Sequence, residues 1–337
     1  MKAVGFKTPG SIDREDALLD VMVDKPTAIG RDLLVKIHAV SVNPADAAAR
    51  KMQPEPAQGY NILGYDASGV VEAMGSDVQG FNVGDAVYYS GTIDRPGTNA
   101  EFHLVDERIV GHKPSRISHA EAAALPLTTL AAWEALFDRL EISRPTPEGG
   151  NVILVVGGSG GVGTIAVQLL RALTDMTIIS TASTPETNAW VTELGAHHVI
   201  NHREPLAAQV AALNIGAPGF VLSTNGTAKH LPEIAALLAP QGRLCPVDAA
   251  GLVDLQPFGM KSVSIHNFTM FTRPLFRTPD MNVQGDILSE VAKLVDDGKV
   301  KSTVTDVLGK INAETLRKAH AQIESGKTRG KIVLEGF

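Results

Sequence analysis

Cysteine is almost absent from this sequence: a single thiol, Cys245, stands among 337 residues. One thiol cannot close an intrachain disulfide or build a cysteine-rich structural zinc site, so disulfide-stapled and zinc-ribbon classes are excluded. Runs of like charge are missing too. The formal charge is −7 and no basic arm interrupts the chain, a poor match to the cationic face that a nucleic-acid backbone requires. No apolar run approaches the roughly 20 residues of a bilayer-spanning helix. The opening residues, MKAVGFKTPGSIDRED, lack the apolar core and cleavage site of a secretory leader, and the expected compartment is the cytoplasm. No internal repeat of the solenoid or propeller kind is evident.

What is present is the composition of an ordinary globular chain, 44% hydrophobic and 20% charged, long enough for two domains. Up to about residue 120 the texture is strand and turn. Runs at 33–40 and 68–74 are rich in β-formers, and Pro9-Gly10, Gly75-Ser76-Asp77, Gly84-Asp85 and Pro96-Gly97 punctuate them, a spacing that predicts a barrel or sandwich. Near Ser118 the pattern changes. Ser118 and Glu121 have the spacing of a capping box, and helices are expected from there and over 130–140, followed by a Pro/Gly-rich connection at 145–150. Beyond it strands and helices alternate: strands at 152–156, 177–180, 198–200, 220–223 and 243–247, helices at 165–173, 186–194, 205–213 and 231–238. Such alternation spells a parallel, doubly wound sheet. Late helices are expected at 287–296 and 313–324, with a last strand at 331–334.

The most informative segment runs Val152-Ile153-Leu154-Val155-Val156-Gly157-Gly158-Ser159-Gly160-Gly161-Val162-Gly163. Gly158-x-Gly160-x-x-Gly163 follows a buried-type strand and opens a helix, which is the setting of a dinucleotide fingerprint. Gly158 is expected to make the tight turn, Gly160 to let backbone approach a pyrophosphate, and Gly163 to let helix and strand pack closely. Ser159, Gly161 and Val162 complete the anion-binding amides at the helix start. No Gly-Lys-Ser/Thr follows, which excludes a Walker A loop. An NAD site ordinarily ends the next strand with Asp or Glu to accept from the ribose 2′-hydroxyl. Here that strand ends in Ile179-Ser180-Thr181-Ala182-Ser183-Thr184, hydroxyls without an acid, and NADP(H) is the expected cofactor, with Ser180 and Ser183 as contacts. Ser183 and Thr184 are also open to a plain helix-capping reading.

Further landmarks are Ser41-Val42-Asn43-Pro44-Ala45-Asp46, Gly64-Tyr65-Asp66-Ala67-Ser68-Gly69-Val70-Val71, Val83-Gly84-Asp85-Ala86-Val87, the segment from Ala124 to Trp133, Leu194-Gly195-Ala196, and Arg329-Gly330-Lys331-Ile332-Val333. With the glycine loop they make the chain resemble, over nearly its whole length, the medium-chain dehydrogenase/reductase superfamily, in its quinone oxidoreductase-like branch. The resemblance implies a GroES-like β-rich catalytic domain (1–122 and 268–337), a Rossmann NADP(H)-binding domain (123–267) and a homodimer. It departs from the zinc enzymes of the superfamily, which carry a ligand Cys in the 41–46 region, Gly-His-Glu in place of Gly64-Tyr65-Asp66, and a four-Cys lobe. No metal site is therefore expected; His103 and His112 remain, with nothing in the sequence to place them beside Asp46 or Asp66.

The resemblance also implies site residues. Asn43 stands near the nicotinamide, as a donor to the substrate carbonyl or to the cofactor amide, although Asn-Pro also starts Asx turns. Thr129 is expected at the nicotinamide, with a helix cap as the rival reading. Tyr65 is a candidate proton donor or a half-buried packing residue, and Asp46 and Asp66 are scaffold residues with Arg50 as a partner. His202 and Arg203 join Ser183 around a 2′-phosphate, or are polar loop residues. Asn225 and Gly226 pass the nicotinamide ribose, and Phe268 and Met270 cover the ring or pack a domain junction. The expected activity is NADPH-dependent, zinc-independent hydride transfer to a quinone or α,β-unsaturated carbonyl. Two alternatives are a zinc-dependent alcohol dehydrogenase and a non-catalytic NADPH-binding sensor. The expected partners are that small substrate and a second copy of the chain, with no nucleic acid and no membrane.

Overall fold

The computed structural model describes residues 1–144, 146, 148, 150–248 and 251–337. The chain divides into two compact units, Met1–Leu130 with Phe271–Phe337, and Ala131–Met270. The first begins with β1 (Lys2–Phe6), β2 (Leu19–Met22), β3 (Asp32–Val42), α1 (Pro44–Met52), β4 (Asn61–Ile62), β5 (Asp66–Met74), β6 (Ala86–Ser90), β7 (Phe102–Asp106) and β8 (Val110–His112), then α2 (His119–Ala123) and α3 (Pro126–Trp133). The expected cap holds at α2: Ser118 Oγ accepts from the Glu121 amide, and the Glu121 carboxylate accepts from the Ser118 amide at 2.8 Å, satisfying two donors that a helix start leaves free. The expected helix at 130–140 is longer, because α3 starts at Pro126 and runs directly into a π-helical segment, Glu134–Arg139.

The second unit carries β9 (Val152–Val156), α4 (Gly161–Leu173), β10 (Thr177–Thr181), α5 (Pro185–Glu193), β11 (His198–Ile200), α6 (Leu206–Ala212), β12 (Phe220–Ser223), α7 (Thr227–Leu237), β13 (Arg243–Pro246), α8 (Gln256–Gly259) and β14 (Ser264–Ile265). Its six strands lie in the order β11-β10-β9-β12-β13-β14, every pair parallel. The order reverses at β9, which is the doubly wound arrangement and puts the ligand crevice of such sheets at the carboxyl end of that strand. β9 is apolar along its length because both its faces are covered; none of its residues is more than 6% exposed. At about 1.5–3 kcal/mol for each fully buried aliphatic side chain, this central strand anchors the unit.

The chain then returns to the first unit with α9 (Thr272–Phe276), α10 (Val283–Asp296), β15 (Val304–Val307), α11 (Ala313–Glu324) and β16 (Lys331–Glu335). β16 pairs antiparallel with β3, and β3 pairs with β5 and β7, within a seven-stranded sheet. A separate three-stranded sheet has the order β2-β1-β4.

Three expectations need correction. α4 starts at Gly161 rather than 165, so the glycine-rich stretch itself forms the first helical turn. α7 starts at Thr227 rather than 231, because the carboxylate of Asp248 accepts from the Thr227 amide and hydroxyl; a cap supplied from a distant loop leaves no local signal. Arg50 does not pair with Asp46 or Asp66. It is buried on α1 and takes Glu324 of α11 and the Gly10 carbonyl. The connection expected at 145–150 lies in part outside the described residues.

Lys261 closes the other end of α7, its ammonium donating to the carbonyls of Ala235, Ala236 and Leu238 at 2.7–2.8 Å. These are the acceptors a helix C-terminus leaves open. Replacing Lys261 by Met should lower unfolding free energy by about 1–3 kcal/mol, read by urea denaturation; an unchanged midpoint would show the cap to be idle.

Candidate active site and nucleotide-binding loop

In the second unit β9 delivers the chain into residues 157–163. Gly157 has φ +82°, its amide donates to Thr181 Oγ1 at 2.9 Å, and a Cβ there would lie 2.5 Å from Thr224 Oγ1. The tight turn expected of Gly158 is therefore made one residue earlier. Gly158 is glycine for a different reason: a Cβ would stand 1.8 Å from Ser180 Oγ. At Gly163 a Cβ would meet the Gly157 carbonyl oxygen at 2.2 Å, the close helix–strand approach anticipated from the sequence. Gly160, the N-cap of α4, is the open one, with nothing nearer to its Cβ position than the Gly157 carbonyl oxygen at 3.5 Å. Ser159, Gly160, Gly161 and Val162 reach the surface. The amides of Gly161, Val162 and Gly163 have no acceptor within the helix, and the helix dipole adds positive character at that end. This cradle fits a dinucleotide's diphosphate.

The rim of the loop is polar. Ser180, expected to touch the cofactor, is fully buried beneath Gly158 with its hydroxyl unpartnered among the described residues; it supports the loop from behind. Thr184 caps α5, accepting from the Thr187 amide, which leaves Ser183 part-exposed just before it. β10 and β11 run parallel side by side, with the Ala182 amide donating to the Ile200 carbonyl at 3.0 Å, so the turn carrying His202 and Arg203 leaves the sheet next to the Ser183 turn. Arg203 is exposed. The His202 ring meets the His230 ring edge-on at 6.4 Å. Burial first, then the charges of His230, Arg203 and Lys229, hold the His202 pKa below its ordinary value. Lys229 and His230 were not identified from the sequence, since they sit on α7, far along the chain.

Asn225 is exposed beside the loop, its Cβ 3.4 Å from where a Cβ on Gly157 would be, and Gly226 (φ +67°) caps α7. Phe268 is part-buried and Met270 buried in the segment after β14.

In the first unit a buried polar cluster gathers residues distant in sequence. The Lys331 ammonium, at the start of β16, donates to Asp66 Oδ2 at 2.8 Å, to Asn43 Oδ1 and to the Val42 carbonyl. Asn43 Nδ2 donates to the same Asp66 oxygen at 2.9 Å, and Asp66 Oδ1 accepts from the Leu127 amide of α3 at 2.7 Å. Asn43, Asp66 and Lys331 are at most 3% exposed. Both ends of the Asn43 carboxamide are engaged, so the donor role expected of it toward a ligand gives way to a positioning role. Asp46 Oδ2 accepts from the Asn43 amide at 2.7 Å, while its Oδ1 is buried and unpartnered among the described residues. Burial drives the Asp46 carboxyl up to about 7. Thr129 lies inside α3 and is no cap; its hydroxyl is buried and unpartnered as well.

Tyr65 is buried, its ring 4.9 Å from that of Phe271. Burial, and secondarily the Asp46 carboxyl, hold the phenol well above its ordinary pKa, so it is a protonated hydroxyl at neutral pH. Lys331 is the residue whose role sequence reasoning missed here. The available signal was a lone cation at the head of the apolar run Lys331-Ile332-Val333-Leu334.

These donors do not fit a tetrahedral zinc ion. The cluster offers a phenol and two carboxyls but no thiol or imidazole, and one carboxylate already binds an ammonium that would repel a cation. His103 has both ring nitrogens engaged, by Tyr89 at 3.0 Å and the Pro96 carbonyl at 2.9 Å. Among the described residues no group of three or more His, Cys, Asp or Glu side chains is placed to hold a metal.

Comparison with known proteins gives two family models: Alcohol dehydrogenase GroES-like domain over residues 30–126 and Zinc-binding dehydrogenase over residues 194–334. The chain is 37% identical over 336 residues to a zinc-type alcohol dehydrogenase-like protein of Staphylococcus aureus, covering 99% of each. A solved structure of a candidate zinc-dependent alcohol dehydrogenase from Rhizobium etli superposes with a TM-score of 0.98 at 56% identity, covering 100% of this chain and 98% of the other. The quinone oxidoreductase of Coxiella burnetii superposes with a TM-score of 0.81 at 28% identity, covering 100% and 99%.

Two outcomes test the site as built. Gly158→Ala should weaken dinucleotide binding by about tenfold or more, and adding Ser180→Ala should restore part of it by removing the clashing oxygen, a coupling that a double-mutant cycle in a binding titration reads. Lys331→Met, which leaves Asp66 charged and buried, should cost about 3–5 kcal/mol of unfolding free energy; a loss below about 1 kcal/mol would show that the ion pair is dispensable.

Proposed function

The chain belongs to the medium-chain dehydrogenase/reductase superfamily, in its quinone oxidoreductase-like branch, and we propose that it is an NADPH-dependent, zinc-independent reductase of quinones or α,β-unsaturated carbonyls. The observation that carries the cofactor choice is the rim of the glycine loop. The β10 end and the turn after it bear hydroxyls and no acid, and the neighbouring turn carries Arg203 and His202 with Lys229 and His230 behind them. A 2′-phosphate adds negative charge that such a rim attracts, whereas the free 2′-hydroxyl of NAD asks for a carboxylate acceptor. When bound, the reduced nicotinamide supplies a hydride. The remaining work falls to the buried cluster. Lys331 and Asp66 hold Asn43 and the start of α3 in place, and Tyr65, a protonated hydroxyl, is the proposed proton donor to the acceptor.

The zinc-free part of the reading rests on the donor set, in which the ammonium of Lys331 lies against Asp66. The names of the relatives favour the competing reading, a zinc alcohol dehydrogenase, and metal content separates the two. A homodimer, expected from the family, completes the reading and is open to sedimentation.

Titration of the purified protein with NADPH and NADH should show NADPH bound at least about tenfold more tightly, a difference of about 1.4 kcal/mol. Arg203→Glu should remove most of that preference while leaving NADH binding nearly unchanged. NADPH should be oxidised by members of a panel of quinones and enals, at a rate unchanged by prior treatment with a chelator. Stoichiometric zinc whose removal abolishes turnover would overturn the zinc-free reading, and tight binding without turnover across the panel would favour a sensor.

A further inference from the structure

Two imidazoles meet at the edge of the glycine loop in the second unit. His202 follows β11, His230 is the fourth residue of α7, and their rings stand edge to face at 6.4 Å. Contacts link the pair to the loop. The His230 ring lies 3.6 Å from where a Cβ on Gly226 would be, and the preceding residue, Asn225, has its Cβ 3.4 Å from the same point on Gly157. His202 is part-buried with Nδ1 unpartnered among the described residues, and His230 is 7% exposed. Such burial penalises the charged form of each ring. Both pKa values lie below the ordinary imidazole value, burial being the largest cause. The surrounding charges give the pair little relief. Lys229 and Arg203, both exposed, oppose a proton on His202, and Lys229 opposes one on His230. Asp248 and Glu233 favour a proton on His230, but each is engaged elsewhere, at the Thr227 amide and hydroxyl and at the Ala207 amide. Glu204 is turned to Asn201. α6, which packs on α7, carries no titratable side chain.

We propose that His202 and His230 make recognition of the 2′-phosphate proton-gated, a role that rests on the NADPH reading. The bound phosphate brings the counter-charge that the protein withholds, and the pair takes up one proton from solvent. One N–H bond forms on one ring, the first proton opposes a second, and the proton returns to solvent when the nucleotide leaves. NADH, with a neutral hydroxyl at that place, draws no proton. The sign follows from linkage. A group whose pKa rises on binding adds affinity that is complete below its free-state value and lost as pH rises through its bound-state value. Preference for NADPH therefore weakens from the acid to the alkaline side of neutrality, while Arg203 and Lys229 supply the part that does not change.

The direction of proton exchange separates this gate from a rim of fixed charges. Arg203 and Lys229 alone would hold the phosphate as a dianion, lowering its second pKa of about 6, so that binding releases a fraction of a proton. The imidazole pair gives the opposite sign. Calorimetric titration of wild type at about pH 7, in two buffers of different ionisation heat, should show net proton uptake with NADPH and none with NADH. Binding titrations supply the second readout. The ratio of the NADH to the NADPH dissociation constant should fall about threefold between about pH 6.5 and about pH 8.5 in wild type. With His202→Gln and His230→Gln combined, the ratio should stay flat and the uptake should vanish. Net release, or no exchange, on binding NADPH to wild type overturns the gate and leaves a measured preference for NADPH standing. A pH dependence that survives in the double variant overturns it as well. Equal affinity for the two nucleotides at about pH 6.5 overturns the NADPH reading, and the gate with it. If the double variant does not fold, the sign of proton exchange in wild type decides alone.

Discussion

Lys331 heads an apolar strand, and its ammonium cannot reach water. β16 lies against β3, with Ile332 opposite Val42, so the cation at 331 is carried into the sheet's interior whether or not it finds a partner. An unpaired ammonium there would be prohibitive. The sequence meets this with Asp66 at the first position of β5, on the other side of β3, where Ser41 and Asp66 are in register. One ion pair thus bridges three adjacent strands, tying the last strand of the chain to segments near its beginning. Its remaining capacity is filled by Asn43, the N-cap of α1, and by the Leu127 amide at the start of α3. Two helix starts take their positions from the pair; Asp46 lies in the first turn of one of them, and Tyr65 directly precedes Asp66.

The same pair decides what this cluster can be. A place built for a tetrahedral zinc needs soft or nitrogen donors around an open volume free of other cations. Here the carboxylate that might have served is neutralised by a resident ammonium at 2.8 Å. Exchanging a divalent cation for a lysine supplies one positive charge in place of two and removes the Lewis acid. With one cation and two buried carboxyls the balance is one charge short, and the shortfall falls on Asp46, which has the fewer donors.

Much of this was legible in the sequence because it is written in local pattern. The βα alternation, the apolar β9, the glycines and the Ser118 capping box each follow from residues within a few positions of one another, and the doubly wound strand order follows from them. What was not legible depends on partners far apart in the chain. The start of α7 is set by Asp248, and the role of Gly158 is set by Ser180 on the next strand. Arg50 turned out to serve Glu324 rather than its neighbour Asp46, because α11 packs on α1 and offers a carboxylate where four-residue spacing only suggested one. Lys331 was read as part of a landmark and not as a functional group, since a single cation in an apolar strand carries no sign of which buried acid it meets.

The two units use polar groups in one consistent way, which separates support from chemistry more reliably than burial alone. Thr181, Thr224, Asn43, Lys331 and Asp66 are each engaged by groups of their own unit, and a group already engaged cannot gain much from a ligand, because forming a new bond means breaking an old one. The capacity left over is concentrated elsewhere: in the first-turn amides of α4, in the Thr129 hydroxyl and in Asp46 Oδ1. Ser180 shows the limit of the rule, since its free hydroxyl is sealed beneath Gly158 and only holds the loop's shape. Unfilled capacity marks chemistry only where a ligand or a proton can arrive.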